Sequence, residues 1–281
     1  MSSNEEDKEV VTGALVGKPT IHMVWKVPAA DEAEIDEYWK GHETWMRASH
    51  TEEQSGDDAE KPRLLEFYIA KGEELSDPMN PESEKTGNLL YIMSETYAAP
   101  TGIAKHMELG TKDWPGMATL PEKAEKYSTF MQVGATSVFT CLEDKAEVMN
   151  CAKTQPSIQM FWRVPAADEK EIDEFWKGHE TWMRASHTMG TAGDDAEKPR
   201  LTSFYIAKGK ELNDPMNPES GETGNLIYSM SETYAAPTGI AKHMELATKD
   251  WPGMASLPEK AEKYGVFMHV GAASVFTNFK D

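Results

Sequence analysis

The sequence predicts an α+β chain made of one unit written twice, each unit ordered β-α-β-β-α-β. Three observations carry this: a gap-free internal repeat, short alternating apolar runs separated by stretches of helical periodicity, and a length that fits two such units. Shifted by 137 positions, the sequence lies on itself: WKGHETWMRASHT at 39–51 recurs at 176–188, and SETYAAPTGIAKHMEL at 94–109 recurs at 231–246. Between 19–140 and 156–277, 98 of 122 positions are identical. Such a period is domain-sized, well beyond the ~20–50 residues of solenoid repeats. Twice 137 leaves seven of the 281 residues over, and Glu6-Asp7-Lys8 matches Glu143-Asp144-Lys145. Residues 142–155 therefore read as the second copy's own leading segment, and the expected domains are 1–141 and 142–281.

Within one unit, TIHMVWKV at 20–27 alternates and is rich in β-formers, so it reads as strand one, ended by Pro28. Asp31 and Glu34 have the spacing of a capping box and open a helix over 32–50. Ile35, Trp39, His42, Met46 and Ser49 fall on one face of that helix. A polar loop follows, then strand two at 64–70. Asp77-Pro78 and Asn80-Pro81 mark a turn, and strand three covers 88–94. Pro100 opens a second helix with Ile103, His106 and Met107 inward, broken at Asp113-Trp-Pro-Gly. Leu120–Tyr127 is a short helix begun by Pro121, and strand four spans 130–140. This order is the ferredoxin-like split unit, which covers one sheet face with helices and leaves the other in need of a partner.

The two copies differ in a pattern. In strand one the changed positions are 20, 22, 24 and 26, and in strand three 90 and 92, while Ile21, Met23, Trp25, Val27, Leu89, Tyr91 and Met93 are kept. A period of two puts the changes on one sheet face. The kept face is expected to pack on the helices and the changed face to meet the other copy. His22 and Gln132 become Gln159 and His269, so each copy retains one His and one Gln on neighbouring strands. That exchange is either a preserved polar pair or drift at two positions.

Composition narrows the function. The net charge of -20 would repel a phosphate backbone or an anionic membrane surface, so neither nucleic acid nor membrane is an expected partner. There is no apolar run long enough to span a bilayer, and MSSNEEDKEV lacks the apolar core of a signal peptide. With two cysteines, Cys141 and Cys151, free thiols in a reducing compartment are expected and the cytoplasm is the default location.

YIMSETYAAPTGIAKHMEL ends a strand in an acidic–aromatic pair and continues into a helix bearing a His. With the β-α-β-β-α-β order, this run makes each copy, over about 120 residues, resemble the dimeric α+β barrel superfamily. That superfamily includes antibiotic-biosynthesis monooxygenase-like, stress-responsive and haem-degrading domains. The resemblance implies two ferredoxin-like units closing an intramolecular pseudo-dimeric barrel, the partner being supplied within the chain. It also implies a ligand pocket between sheet and helices in each unit.

Six of the eight histidines are repeat-matched. His42 and His106, with their mates His179 and His243, are the candidate proton-transfer residues, because a neutral imidazole serves as a general base near neutral pH. Each is equally well read as a hydrogen-bonded residue at a helix–sheet contact. Trp25, Trp39, Met46, Tyr91 and Met93, and their mates Trp162, Trp176, Met183, Tyr228 and Met230, would line an aromatic, Met-rich pocket for a small hydrophobic or aromatic molecule. Core filling is the plainer role for the Trp and Met side chains. No metal site is expected. His42 and His50 stand eight apart, and no HExxH, CxxC, EF-hand, GxGxxG, Walker or GxSxG pattern occurs. No cofactor is expected, haem entering only through the resemblance, with His106 as the nearest axial candidate. The loop at 52–55 differs from 189–192 and reads as drift or as a difference between two pocket mouths.

The functional expectations are three. One is a cofactor-independent monooxygenase-like or cyclase-like enzyme for an aromatic or polyketide-like substrate. Another is a haem-binding or haem-degrading barrel. The last is a non-enzymatic, stress-responsive ligand-binding protein.

Overall fold

A computed structural model describes residues 14–52, 60–142, 152–190 and 197–278. Cys151, the acidic pairs Asp57-Asp58 and Asp194-Asp195, and positions 53–55 and 191–192 of the unlike loops lie outside these residues.

The alternating segments become long strands because each buries side chains on both faces. In the first half these are β1 (Pro19–Pro28), β2 (Leu64–Leu75), β3 (Lys85–Tyr97) and β4 (Ser128–Cys141), with helices α1 (Glu32–Ser49), α2 (Pro100–Asp113) and α3 (Leu120–Tyr127). The second half repeats them as β5 (Pro156–Pro165), β7 (Arg200–Leu212), β8 (Glu222–Tyr234) and β9 (Gly265–Asn278), with α4 (Glu169–Ser186), α5 (Pro237–Asp250) and α6 (Leu257–Tyr264). It adds a two-residue strand β6 (Thr188–Met189). Strands two to four run longer than the alternation indicated, because their ends pair across turns that are polar in sequence. The Asp31 capping box does not form. Asp31 closes a short 3-10 turn, and its carboxylate accepts from Lys126 and from the Tyr127 hydroxyl instead.

Eight strands close an antiparallel barrel in the order β4-β1-β3-β2-β9-β5-β8-β7, with β7 returning to β4. Within each half the order is 4-1-3-2. The halves meet edge to edge at two seams: β2 pairs with β9 from Tyr68 to Gly72, and β4 with β7 from Thr136 to Cys141. Glycine is required at both. A Cβ on Gly72 would lie 2.0 Å from the Ala272 carbonyl oxygen, and one on Gly209 would lie 2.0 Å from that of Ala135.

The face assignment from the repeat holds. Ile21, Met23, Trp25, Val27, Tyr91 and Met93 pack on Ile35, Trp39 and Met46 outside the barrel. Val24, Leu90, Ile92 and Phe130 point inward and meet Phe161, Ile227 and Val275 of the second half. His22 sits opposite Gln132, and Gln159 opposite His269. The exchange serves the interior: His22 Nε2 reaches the Tyr205 hydroxyl at 2.9 Å, and Gln159 Nε2 donates to the matched Tyr68 hydroxyl at 2.6 Å. The Tyr205 hydroxyl also bonds Ser94, whose hydroxyl donates to Glu66 Oε2 at 3.1 Å. Ser203 donates to Glu66 Oε1 at 2.7 Å, and positions 66 and 203 are themselves repeat mates.

No helix among the described residues is long and apolar enough to cross a membrane.

Candidate active site

The space between α1, α2 and β3 holds a cluster of polar side chains in an aromatic shell. Helical spacing on α1 points His42 inward beside Trp39, and α2 brings His106 toward it. Odd positions of β3 face the helices, so Glu95 and Tyr97 continue the row of Tyr91 and Met93. Glu95 Oε1 lies 3.8 Å from His42 Nε2, and Glu95 Oε2 lies 3.9 Å from His106 Nδ1. The second half repeats this with His179, Glu232 and His243, at 3.7 and 3.8 Å. Trp114 packs on His42 at 4.6 Å between ring centres, and Trp251 on His179 at 4.5 Å.

Hydrogen bonding fixes the tautomers. The single proton of Ser49 Oγ goes to the Trp45 carbonyl oxygen at 2.7 Å, so the 2.8 Å contact to His50 Nδ1 must be donated by the imidazole. Burial holds His50 down to a pKa of about 2, so it is neutral with a bare Nε2. His106 Nδ1, 3.0 Å away, therefore carries a proton and donates it. The Tyr97 hydroxyl lies 2.7 Å from the same Nδ1 and donates to Glu95 Oε2 at 2.5 Å. Ser186, His187 and His243 repeat the first links, and Tyr234 donates to Glu232 as Tyr97 does to Glu95.

Burial lifts the Glu95 carboxyl to a pKa of about 8 against the opposing bond from Tyr97, and Glu232 likewise to about 8. Burial drives His106 and His179 down to about 3, and His42 and His243 well below their usual value. Glu95 Oε1 and His42 Nδ1 have no hydrogen-bond partner among the described residues. The 3.8 Å gap between Glu95 Oε1 and His42 Nε2 is too wide for a direct bond and suits an atom bridging both.

A cavity of about 30 Å³ lies against this cluster, lined by Trp39, His42, Met93 and His106 and by Met107, Met117 and Met216. Its counterpart, about 20 Å³, is lined by Trp176, His179, Met230, Glu232 and His243 and by Met79. The halves exchange a residue here. Met216, from the β7–β8 turn, lines the first cavity, and Met79, from the β2–β3 turn, lines the second.

Of the residues expected from sequence, the structure brings His42, His106, Trp39 and Met93 together, and likewise His179, His243, Trp176 and Met230. It places Trp25, Met46, Tyr91, Trp162, Met183 and Tyr228 in the core away from either cavity. Trp25 stacks behind Trp39 at 4.6 Å, and the Tyr91 hydroxyl is held by Asp36 at 2.6 Å. Sequence reasoning gave Glu95, Tyr97 and His50 no role in the site. The signal was present: a glutamate at an odd position of β3 falls on the face otherwise occupied by buried apolar residues. His42, Glu95 and His106 also have one donor atom each within 4.8 Å of one another, a set that can hold a metal ion. The search by helical spacing could not find it, because the three come from three elements. The proton on His106 Nδ1 takes up that nitrogen's lone pair, so the hydrogen-bonded state described here is protonic. As it stands, each cavity is far smaller than a porphyrin.

No family model matches the chain, and no curated protein matches it. Among solved structures, an anthrone oxidase-like protein superposes with a TM-score of 0.50 at 8% identity, covering 94% of this chain and 94% of that one. A "putative monooxygenase" from Fusobacterium nucleatum subsp. nucleatum has a TM-score of 0.46 at 10% identity, covering 94% and 98%. Another from Lactobacillus acidophilus has 0.42 at 11%, covering 92% and 100%. At these identities the likeness is one of fold, a monooxygenase-like barrel.

Proposed function

We propose that the chain is two fused ferredoxin-like units, residues 1–141 and 142–281, forming an intramolecular pseudo-dimeric barrel that catalyses cofactor-independent oxygenation of a small aromatic carbon acid. The observation that carries this is the buried carboxyl of Glu95, poised near pH 8 with an unpartnered oxygen facing His42 at 3.8 Å, and repeated at Glu232. A general base works best when its pKa lies near the working pH. Glu95 Oε1 takes a proton from an activated methylene, His42 holds the developing oxyanion or peroxide through the same gap, and the proton returns to the leaving oxygen. One methylene and one dioxygen give one carbonyl and one water. Four electrons leave the carbon and reduce dioxygen, with no external reductant. The name of the anthrone oxidase-like neighbour supports this reaction class.

As it stands, the cavity admits one or two small groups. A ring system must displace Met107, Met117 and Met216, unbranched side chains that repack readily. Anthrone is the probe. Oxygen uptake matched by quinone absorbance is expected from the native chain, with a loss of about 100-fold or more in the Glu95→Gln/Glu232→Gln variant. Turnover at the native rate in that variant, or no uptake by the native chain, would sink the proposal.

A further inference from the structure

A larger cavity lies elsewhere. Along the β4–β7 seam pairing stops at Thr136 and Gly209, so residues 128–135 of β4 part from 210–212 of β7. Between them opens a cleft of about 600 Å³, within the ~300–1,000 Å³ of small-molecule sites. Phe130, Leu212 and Ile227 give it an apolar wall, and Arg163 and Lys210 stand at its lining.

Three observations mark it as a binding site. First, the two copies diverge here: seven of the sixteen lining positions differ from their repeat mates, against 24 of 122 over the whole repeat. Second, the divergence reverses the charge. The lining carries Arg163, Lys210 and Glu211, where the mates are Lys26, Glu73 and Glu74. The ion pairing survives, because Glu73–Lys85 at 2.5 Å is replaced by Lys210–Glu222 at 2.8 Å. Third, the lining contains an unsatisfied buried group. Gln132 is 4% exposed, its Nε2 donates to the Thr20 carbonyl oxygen at 3.2 Å, and its Oε1 has no hydrogen-bond partner among the described residues. Arg163 gives its Nε to Glu211 at 2.5 Å, which leaves its terminal nitrogens to a ligand. Glu211 also accepts from Thr223 and Asn225, so it is held in place as the anchor of that guanidinium.

We infer that this cleft binds a small organic acid, its anionic end at Arg163 and Lys210, its apolar body on Phe130 and Ile227, and a hydrogen-bond donor on Gln132 Oε1. The mate seam, with one cation against two carboxylates, does not.

The test is calorimetric titration of the full chain with 4-hydroxycinnamate and its neutral match, 4-hydroxycinnamyl alcohol. One saturable site per chain is expected for the acid, with the alcohol about tenfold weaker or worse. Arg163→Gln should weaken the acid about tenfold. So should Lys210→Glu/Glu222→Lys, which recreates the ion pair of the first half and so keeps the fold. Glu95→Gln/Glu232→Gln should leave binding unchanged. Equal affinity for acid and alcohol, two equivalent sites, no saturable heat, or loss of binding only in the Glu95/Glu232 variant would overturn the inference. The last outcome would place the probe at the histidine clusters.

Discussion

Tyr97 donates its phenolic proton to Glu95 Oε2 at 2.5 Å, and Tyr234 does the same for Glu232. This bond favours the carboxylate, yet burial outweighs it and sets the pKa near 8. Removing the hydroxyl in Tyr97→Phe/Tyr234→Phe should therefore raise the pKa further, by about 1–2 units for a bond to a charged group. The pH–rate profile would show it, its acid-side limb moving to higher pH.

The same carboxyls link stability to pH. Their folded pKa is raised above the ordinary carboxyl value, so the folded chain keeps protons that the unfolded chain releases. Their contribution is full below about pH 4.5 and is lost as pH rises through about 8. Glu95→Gln/Glu232→Gln should thus melt above the native chain, and by several degrees more at pH 9 than at pH 7. Thermal scans at the two pH values check this, and a lower melting temperature at pH 9 would refute it.

The histidines act in the opposite direction. All eight are buried, and burial holds every one below its ordinary value, to about 3 for His22, His106, His179, His187 and His269. A depressed pKa gives stability above about 6.5 that is lost as pH falls, at roughly 1.4 kcal/mol per pH unit for each group. Eight such groups exceed a domain's ~5–15 kcal/mol within one to two units. The chain should unfold cooperatively between about pH 5 and 6, taking up several protons, as circular dichroism with potentiometry would record. A folded chain at pH 4 would contradict the neutral buried state.

At the seams, Gly209→Ala places a methyl group 2.0 Å from the Ala135 carbonyl oxygen, a clash with backbone that no rotamer relieves. A loss of about 3 kcal/mol or more is expected, read from the denaturant midpoint. Gly41→Ala, on α1 with open space around it, should be neutral or slightly stabilising.

The repeat made most of the fold legible. Comparing the copies separated the helix-facing Ile21, Met23 and Trp25 from the inward His22 and Val24, because substitution followed the pleat. It could not show how the barrel closes. The seams depend on Gly72 and Gly209, which carry no apolar signal, and on strand ends that look polar in sequence. The histidines of the site were found from helical spacing. Glu95 was missed because a single acid in a strand looks like a solvent-facing residue until its row of neighbours is counted. Trp25 and Tyr91 were drawn into the expected pocket because sharing a face does not tell lining from packing.

Glu66 accepts a hydrogen bond from Ser203, its own counterpart in the second half. Two separate copies of one unit would put the same residue in both places, giving either two glutamates pressed together inside the barrel or two serines and no charge. A single chain spells each place independently. It can therefore keep one carboxylate at the meeting point, and any later change there need fit only one side.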